Sequence, residues 1–294
     1  MKIIYKSKSF NNSTKTLIGQ AEEIITEYQA QGFILTLRQL YYQFVARGYI
    51  ENTERSYKRI GNITSDARRA GLIDWDAIED RTRHLRRLSS WDSPQAILES
   101  AADDYHRDLW ATQPIVVEVW IEKDALVGVI EDVCQRFDVP FFSCRGYVSD
   151  SEIWRAGVRA MPRDNKQHKD TIIYHLGDHD PSGIDMTRDI EERLALFSFN
   201  SPIEVRRLAL NMPQIEEFNP PPNPAKITDS RFRGYSNKYG DESWELDALE
   251  PQYIVDLITD NLNNDLDHAL FSEIIEKQEE ERKELRALIR HLGK

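Results

Sequence analysis

Thr171-Ile-Ile-Tyr-His-Leu-Gly177-Asp178-His179-Asp180-Pro181-Ser182-Gly183 joins a strand to a helix across a pair of carboxylates. Thr171 to Leu176 is a short apolar run, rich in β-branched residues and stopped by Gly177, which reads as a buried strand. Asp180 followed by Pro181 reads as a helix N-cap and first helical residue, because proline lacks only an N–H that has no partner there anyway. Asp178 and Asp180 are two residues apart, so extended backbone sends both side chains to one side. Crowded carboxylates repel, and they stay ionised cheaply only with a cation between them. Hard oxygen ligands of this kind suit magnesium, which takes one or two carboxylates, several waters and a phosphate. Asp-x-Asp-Pro is also an ordinary turn sequence, but a second acidic strand end upstream favours the metal.

That second strand is Pro114-Ile-Val-Val-Glu-Val-Trp-Ile-Glu122-Lys123-Asp124. Val117, Val119 and Ile121 fall on one face, and Val116, Glu118, Trp120 and Glu122 on the other. From here strands and helices alternate: strands over 115–122, 140–145, 171–177 and 203–210, and helices over 124–137, 150–161 and 182–198. This pattern predicts an α/β fold, a Rossmann-like parallel sheet with helices on both faces. Ligands of open α/β sheets gather outside the carboxyl ends of the strands. Glu122, Asp178 and Asp180 are therefore expected to form one magnesium site.

Glu122-Lys123 after one strand and Gly177-Asp178-His179-Asp180-Pro181-Ser182-Gly183 after a later one resemble the Toprim domain. Within it they are closest to the topoisomerase VI A subunit and its relative, the meiotic double-strand-break transesterase. Cys144-Arg145-Gly146-Tyr147 resembles the glycine-tyrosine strand end of that subfamily, and Trp244-Glu245-Leu246-Asp247-Ala248-Leu249 its late acidic strand. The resemblance covers roughly 114–260. It implies a winged-helix-like domain before Toprim, magnesium-dependent DNA cleavage and a 5′-phosphotyrosyl intermediate. Tyrosine and metal come from different subunits in that family, so it also implies a homodimer. No Gly-rich nucleotide signature is present, so ATP-driven strand passage would need a separate ATPase subunit.

Upstream, 13–31 reads as an amphipathic helix capped by Ser13 or Thr14. Thr36 caps a second helix to Arg47, with Leu37, Leu40, Tyr41, Phe44 and Val45 as its apolar stripe. A third runs from about Thr53 to Ala70, with Tyr57, Ile60, Thr64 and Ala67 inward and Arg55, Lys58, Arg59, Arg68 and Arg69 on other faces. Two helices joined by a tight turn, the second rich in arginine, resemble a DNA-reading helix-turn-helix or winged helix. Tyr42 lies off the apolar stripe and is expected to be exposed. Arg38, four residues earlier, lies beside it and would favour its phenolate. The resemblance makes Tyr42, not Tyr41, the nucleophile; a packed interface residue is the plain alternative. Glu122 would be a further ligand or the general acid–base.

The regions read as a DNA-binding domain over 1–90, a linker helix over 91–113 (its helix running from about Pro94 to Trp110), Toprim over 114–260 and a helical extension over 261–294. Arg81-Thr-Arg-His-Leu-Arg86-Arg87 is a further basic patch, and Lys226, Arg231 and Arg233 interleave with aromatics in a second DNA-binding candidate. The net charge of −12 is uneven. Residues 1–113 hold 16 Lys+Arg against 15 Asp+Glu, and 114–294 hold 22 against 35. Acid thus concentrates in the expected metal domain. The two cysteines, Cys134 and Cys144, give neither disulfide framework nor zinc spacing. No apolar stretch reaches membrane-spanning length and no signal-peptide pattern opens the chain, so a cytoplasmic protein is expected. The rivals to transesterification are a Toprim endonuclease that uses water and a non-catalytic DNA-binding scaffold.

Overall fold

A computed structural model describes residues 2–79, 88–161, 169–199 and 201–292. The basic run 81–87 lies outside these residues. Four parallel strands form the central sheet: β1 (Ile115–Ile121), β2 (Phe141–Ser143), β3 (Asp170–Leu176) and β4 (Ile203–Ala209). Their order is β2-β1-β3-β4. The chain therefore steps from β1 to one side and then back across to the other. The junction of β1 and β3 is the switch point, where the crossovers part and leave a crevice at the carboxyl ends.

Period-two alternation settles both faces. Val117, Val119 and Ile121 pack with the Val127–Arg136 and Pro251–Asp265 helices, through Val129, Ile130, Ile254 and Ile258. Trp120 and Ile173 face the Asp150–Ala160 and Pro181–Phe197 helices, through Ile153, Ile190 and Leu194. Leu262, Leu266, Phe271 and Ile274 join the first of these cores. The C-terminal helices are thus part of the α/β unit, and the helix Pro251–Asp265 runs across the boundary expected at 260. The linker helix is Pro94–Asp103, shorter than expected. It lies along the last helix, His268–Leu292, where Arg286 Nη2 meets Asp103 Oδ1 at 2.7 Å and Arg282 Nε donates to the Tyr105 carbonyl at 2.8 Å.

The first region is a separate helical core of Asn12–Ala30, Leu37–Ala46 and Glu54–Arg69, built on Ile24, Tyr28, Leu40, Phe44 and Ile60. Asn11, not Ser13 or Thr14, caps the first helix through Thr14 N–H, since an Asx side chain reaches that N–H three residues on. Thr36 and Gln39 form a reciprocal capping box on the second. Leu35–Thr36 pairs in parallel with Ile78–Glu79, and 2–79 contain no β-hairpin. Ala248 packs into this core, so the turn Leu246–Ala248 docks the helical region against the sheet unit.

Candidate functional site

Ile121 pairs with Leu176, so Glu122 and Gly177-Asp178 leave the sheet side by side. Glu122 N–H donates to the Leu176 carbonyl at 2.8 Å, and Glu122 Oε2 accepts the Asp178 N–H at 2.8 Å. Two glycines let the chain approach closely here, the second against backbone. A Cβ on Gly177 would stand 2.9 Å from Glu122 Oε2, and one on Gly183 would stand 2.2 Å from the Asp178 carbonyl oxygen. Asp180 is the N-cap that its Asp-Pro pair predicts: its Oδ1 accepts Gly183 N–H at 2.6 Å and the Ser182 hydroxyl at 2.9 Å.

His179, between the two aspartates, points away into an aromatic pocket of Tyr235, Tyr239 and Trp244. Its Nδ1 lies 2.8 Å from the Tyr235 hydroxyl. Burial pushes its pKa down to about 4, so the ring is neutral. Its backbone makes a two-way bridge with Trp244, at 2.8 and 2.9 Å. That bridge brings Glu245-Leu246-Asp247 to the rim, where Leu246 N–H donates to Asp178 Oδ1 at 2.8 Å.

Asp178, Glu245 and Asp247 each offer an oxygen within 4.8 Å of the others. This is the carboxylate cluster that the described residues form, in place of the expected Glu122, Asp178 and Asp180. Asp180 is turned to the helix it caps, and Glu122 to the Asp178 amide. Glu245 and Asp247 were legible only as a family-like segment, although Glu-x-Asp has the same two-residue spacing as Asp178 and Asp180. Nor is this segment a strand: Leu246–Ala248 is a 3₁₀ turn.

Two cations hold the cluster. Lys123 Nζ meets Asp178 Oδ1 at 2.8 Å, Asp247 Oδ1 at 2.7 Å and Glu245 Oε2. Arg38 Nε meets Asp247 Oδ2 at 2.6 Å, and its Nη2 meets Glu245 Oε2 at 2.8 Å. Burial alone would raise Asp247, but Lys123 and Arg38 outweigh it and hold the carboxyl below its usual range. Glu245 is likewise held low against burial, chiefly by Lys123. Burial wins at Asp178, whose pKa is pushed well up, and at Glu122, which is also raised.

Arg207, on β4, was not foreseen. It is half-buried beneath the rim and donates to the carbonyls of Gly177 (3.0 Å), Asp178 (2.6 Å) and Gly183 (2.9 Å) and to the Thr187 hydroxyl (2.9 Å). Burial pulls its pKa down to about 10.

Tyr42 is buried, contrary to expectation, at 6% exposure. One side of its helix faces the helical core and another the Leu246–Ala248 turn. Arg38 does lie over its ring, 5.5 Å from the centroid. Yet burial, with Glu245 and Asp247 close by, raises the phenol despite Arg38 and Lys123, so the expected phenolate is disfavoured. Tyr57 is only partly turned inward, edge-on to Tyr41.

No family model, curated protein or solved structure matches this chain.

The basic candidates separate. Arg55, Lys58 and Arg59 line one groove. Arg68 stacks on Trp75, 4.8 Å from the ring, and donates to the Ile78 carbonyl at 3.1 Å, which fixes that segment rather than facing a ligand. Arg69 lies 3.7 Å from Asp66. Arg231 is held by Asp185 at 2.5 Å and stacks on Tyr147, whereas Lys226 and Arg233 are exposed and have no side-chain partner among the described residues. Among the described residues no helix is long and apolar enough to cross a membrane.

The donor set fits a hard divalent cation: three carboxylates, all oxygen, at the mouth of a crevice. The Lys123 ammonium shares those same oxygens, so an ion seated there would compete with it.

Proposed function

We propose that the chain catalyses magnesium-dependent phosphoryl transfer on nucleic acid, cleaving DNA in the manner of the Toprim proteins that its rim motifs resemble. One observation carries this reading: three carboxylates from two distant segments converge at the sheet's switch point beside the half-buried Glu122. Asp178, Glu245 and Asp247 would hold the ion. When bound, it would neutralise charge developing on the phosphate and the leaving oxygen. Glu122, whose pKa is raised by burial, holds a proton more readily than a free carboxylate and suits the general acid that returns a proton to a 3′-oxygen. Arg38 and Lys123 supply positive charge to orient a phosphate.

The nucleophile has two readings. Tyr42 packs under Arg38 within the field of the cluster's charges, which supports a phosphotyrosyl intermediate. Its burial and raised pKa favour an activated water instead. Supercoiled plasmid incubated with magnesium, then denatured with and without protease, separates them. Protein-linked 5′ ends lost in Tyr42→Phe but kept in Tyr41→Phe support the tyrosine. Free ends with full Tyr42→Phe activity support water. In either case Asp247→Asn and Asp178→Asn should lower cleavage by more than about 100-fold, since even residues one shell outside a metal cost 10- to 100-fold. Cleavage in EDTA, or unchanged in both variants, overturns the proposal. A homodimer and a separate ATPase subunit belong to the same proposal, and sedimentation tests the first.

A further inference from the structure

The basic helix Glu54–Arg69 does not stand free as a duplex reader. It forms one wall of a groove of about 580 Å³ lined by Lys8, Phe10, Asn11, Arg55, Arg59 and Asn62, among others. The opposite wall is the N-terminal arm. Tyr5 and Lys6 N–H tie this arm to the Arg69 carbonyl at 2.9 and 3.0 Å, and Lys8 pairs with Asp66. The start of the Asn12–Ala30 helix closes one end, with Asn11 capping Thr14 N–H at 2.8 Å.

The groove is positive. Its lining holds Lys8, Arg55, Lys58 and Arg59 against Asp66 as the sole carboxylate, and Lys8 already neutralises that acid. Lys58 is paired to Glu54 at 2.6 Å. Arg55 has no partner among the described residues, and Arg59 reaches only the Ser13 hydroxyl at 3.3 Å. Arg55, Arg59 and Asn62 follow helical spacing, so the free cations and an amide share one face. Phe10 is half-buried on the arm, with Lys8 Nζ 5.9 Å above its ring.

A helix that reads duplex DNA must protrude into the major groove, whereas this one lines a concavity. A cationic groove with an aromatic side chain suits a polynucleotide whose bases are unpaired. We propose that this groove binds a single-stranded segment of nucleic acid, with backbone phosphates on Arg55 and Arg59 and one base on Phe10. The inference shares with the proposed function the premise of a nucleic-acid substrate, but it does not depend on the acidic rim.

The test is fluorescence anisotropy of the full chain with a labelled oligothymidylate 15-mer in EDTA, so that loss of metal chemistry cannot affect it. Each phosphate contact on a single strand contributes about 0.7 to the slope of log K against log salt. Arg55→Glu with Arg59→Glu should lower that slope by about 1.4 and weaken binding roughly 25-fold at 0.1 M salt. Phe10→Leu should weaken binding about tenfold and leave the slope unchanged. Lys283→Glu with Arg290→Glu, two exposed reversals on the last helix, changes the net charge equally and is the control. All these positions are exposed or half-buried, and unfolding midpoints confirm that the variants fold. Equal losses from the control pair overturn the proposal. So does a 15-base-pair duplex that binds through Arg55 and Arg59 while the single strand does not.

Discussion

Lys123→Met removes the ammonium that three carboxylates share while keeping much of the side chain's length. The Lys123 side chain is 13% exposed, Asp247 is fully buried and Asp178 nearly so. Deleting one partner of such a buried set leaves uncompensated charge and costs about 3–5 kcal/mol. Arg38 still faces Glu245 and Asp247, which places the expected loss near the lower end. The Asp178 carboxylate loses the only cation at hydrogen-bond distance from it among the described residues, and its raised pKa lets it take up a proton instead. In EDTA the urea midpoint of Lys123→Met should therefore fall by the equivalent of about 3 kcal/mol. A divalent ion then meets three carboxylates without a competing ammonium. Magnesium or manganese at 100 times its dissociation constant returns about 2.7 kcal/mol. The variant should accordingly recover most of the loss in saturating metal, and bind metal more tightly than the parent. The assay is urea unfolding in EDTA and across a magnesium titration, with manganese electron paramagnetic resonance as a direct count of bound ion. Parental stability in EDTA would refute the shared-cation reading, and metal affinity no greater than the parent's would refute the competition.

The acid limb of stability should carry the same signature. Asp247 and Glu245 have folded pKa values below their ordinary ones, so their contribution is complete above about pH 4 and is lost as pH falls through the lower folded values. Glu122 and Asp178 are raised and act oppositely, adding stability as pH falls from neutral toward about 4. Urea midpoints from pH 7 to pH 3 should thus rise slightly before they fall, and Asp247→Asn should flatten the fall; an unchanged acid limb in that variant would sink the assignment. Gly183→Ala should destabilise more than Gly177→Ala, because the first drives a Cβ onto the Asp178 carbonyl at 2.2 Å while the second meets the movable Glu122 side chain at 2.9 Å. Overpacking of this kind costs about 1–3 kcal/mol, and chemical denaturation that finds the two equal would contradict the close approach at Gly183.

Much of the α/β unit is legible from spacing alone. Alternation along 115–121 assigns Val117, Val119 and Ile121 to one core and Trp120 to the other, as found. Asp180-Pro181 marks the start of a helix to the residue. Those signals are local, because backbone geometry dictates which side chains leave a strand or helix together. Nothing local tells which distant segment they will meet. Glu245 and Asp247 reach Asp178 because Trp244 pairs with the His179 backbone and packs with Tyr235 and Tyr239 around its ring. Helical phase puts Tyr42 off its own stripe, but phase is silent about a second surface, and the Leu246–Ala248 turn covers it there. Arg55 and Lys226 are equally charged in sequence, yet packing of the N-terminal arm sets one in a groove and leaves the other on an open surface. Periodicity thus decided the elements and the faces of this chain. Burial and long-range pairing, which depend on residues far apart along it, decided which acids share a site and which tyrosine is hidden.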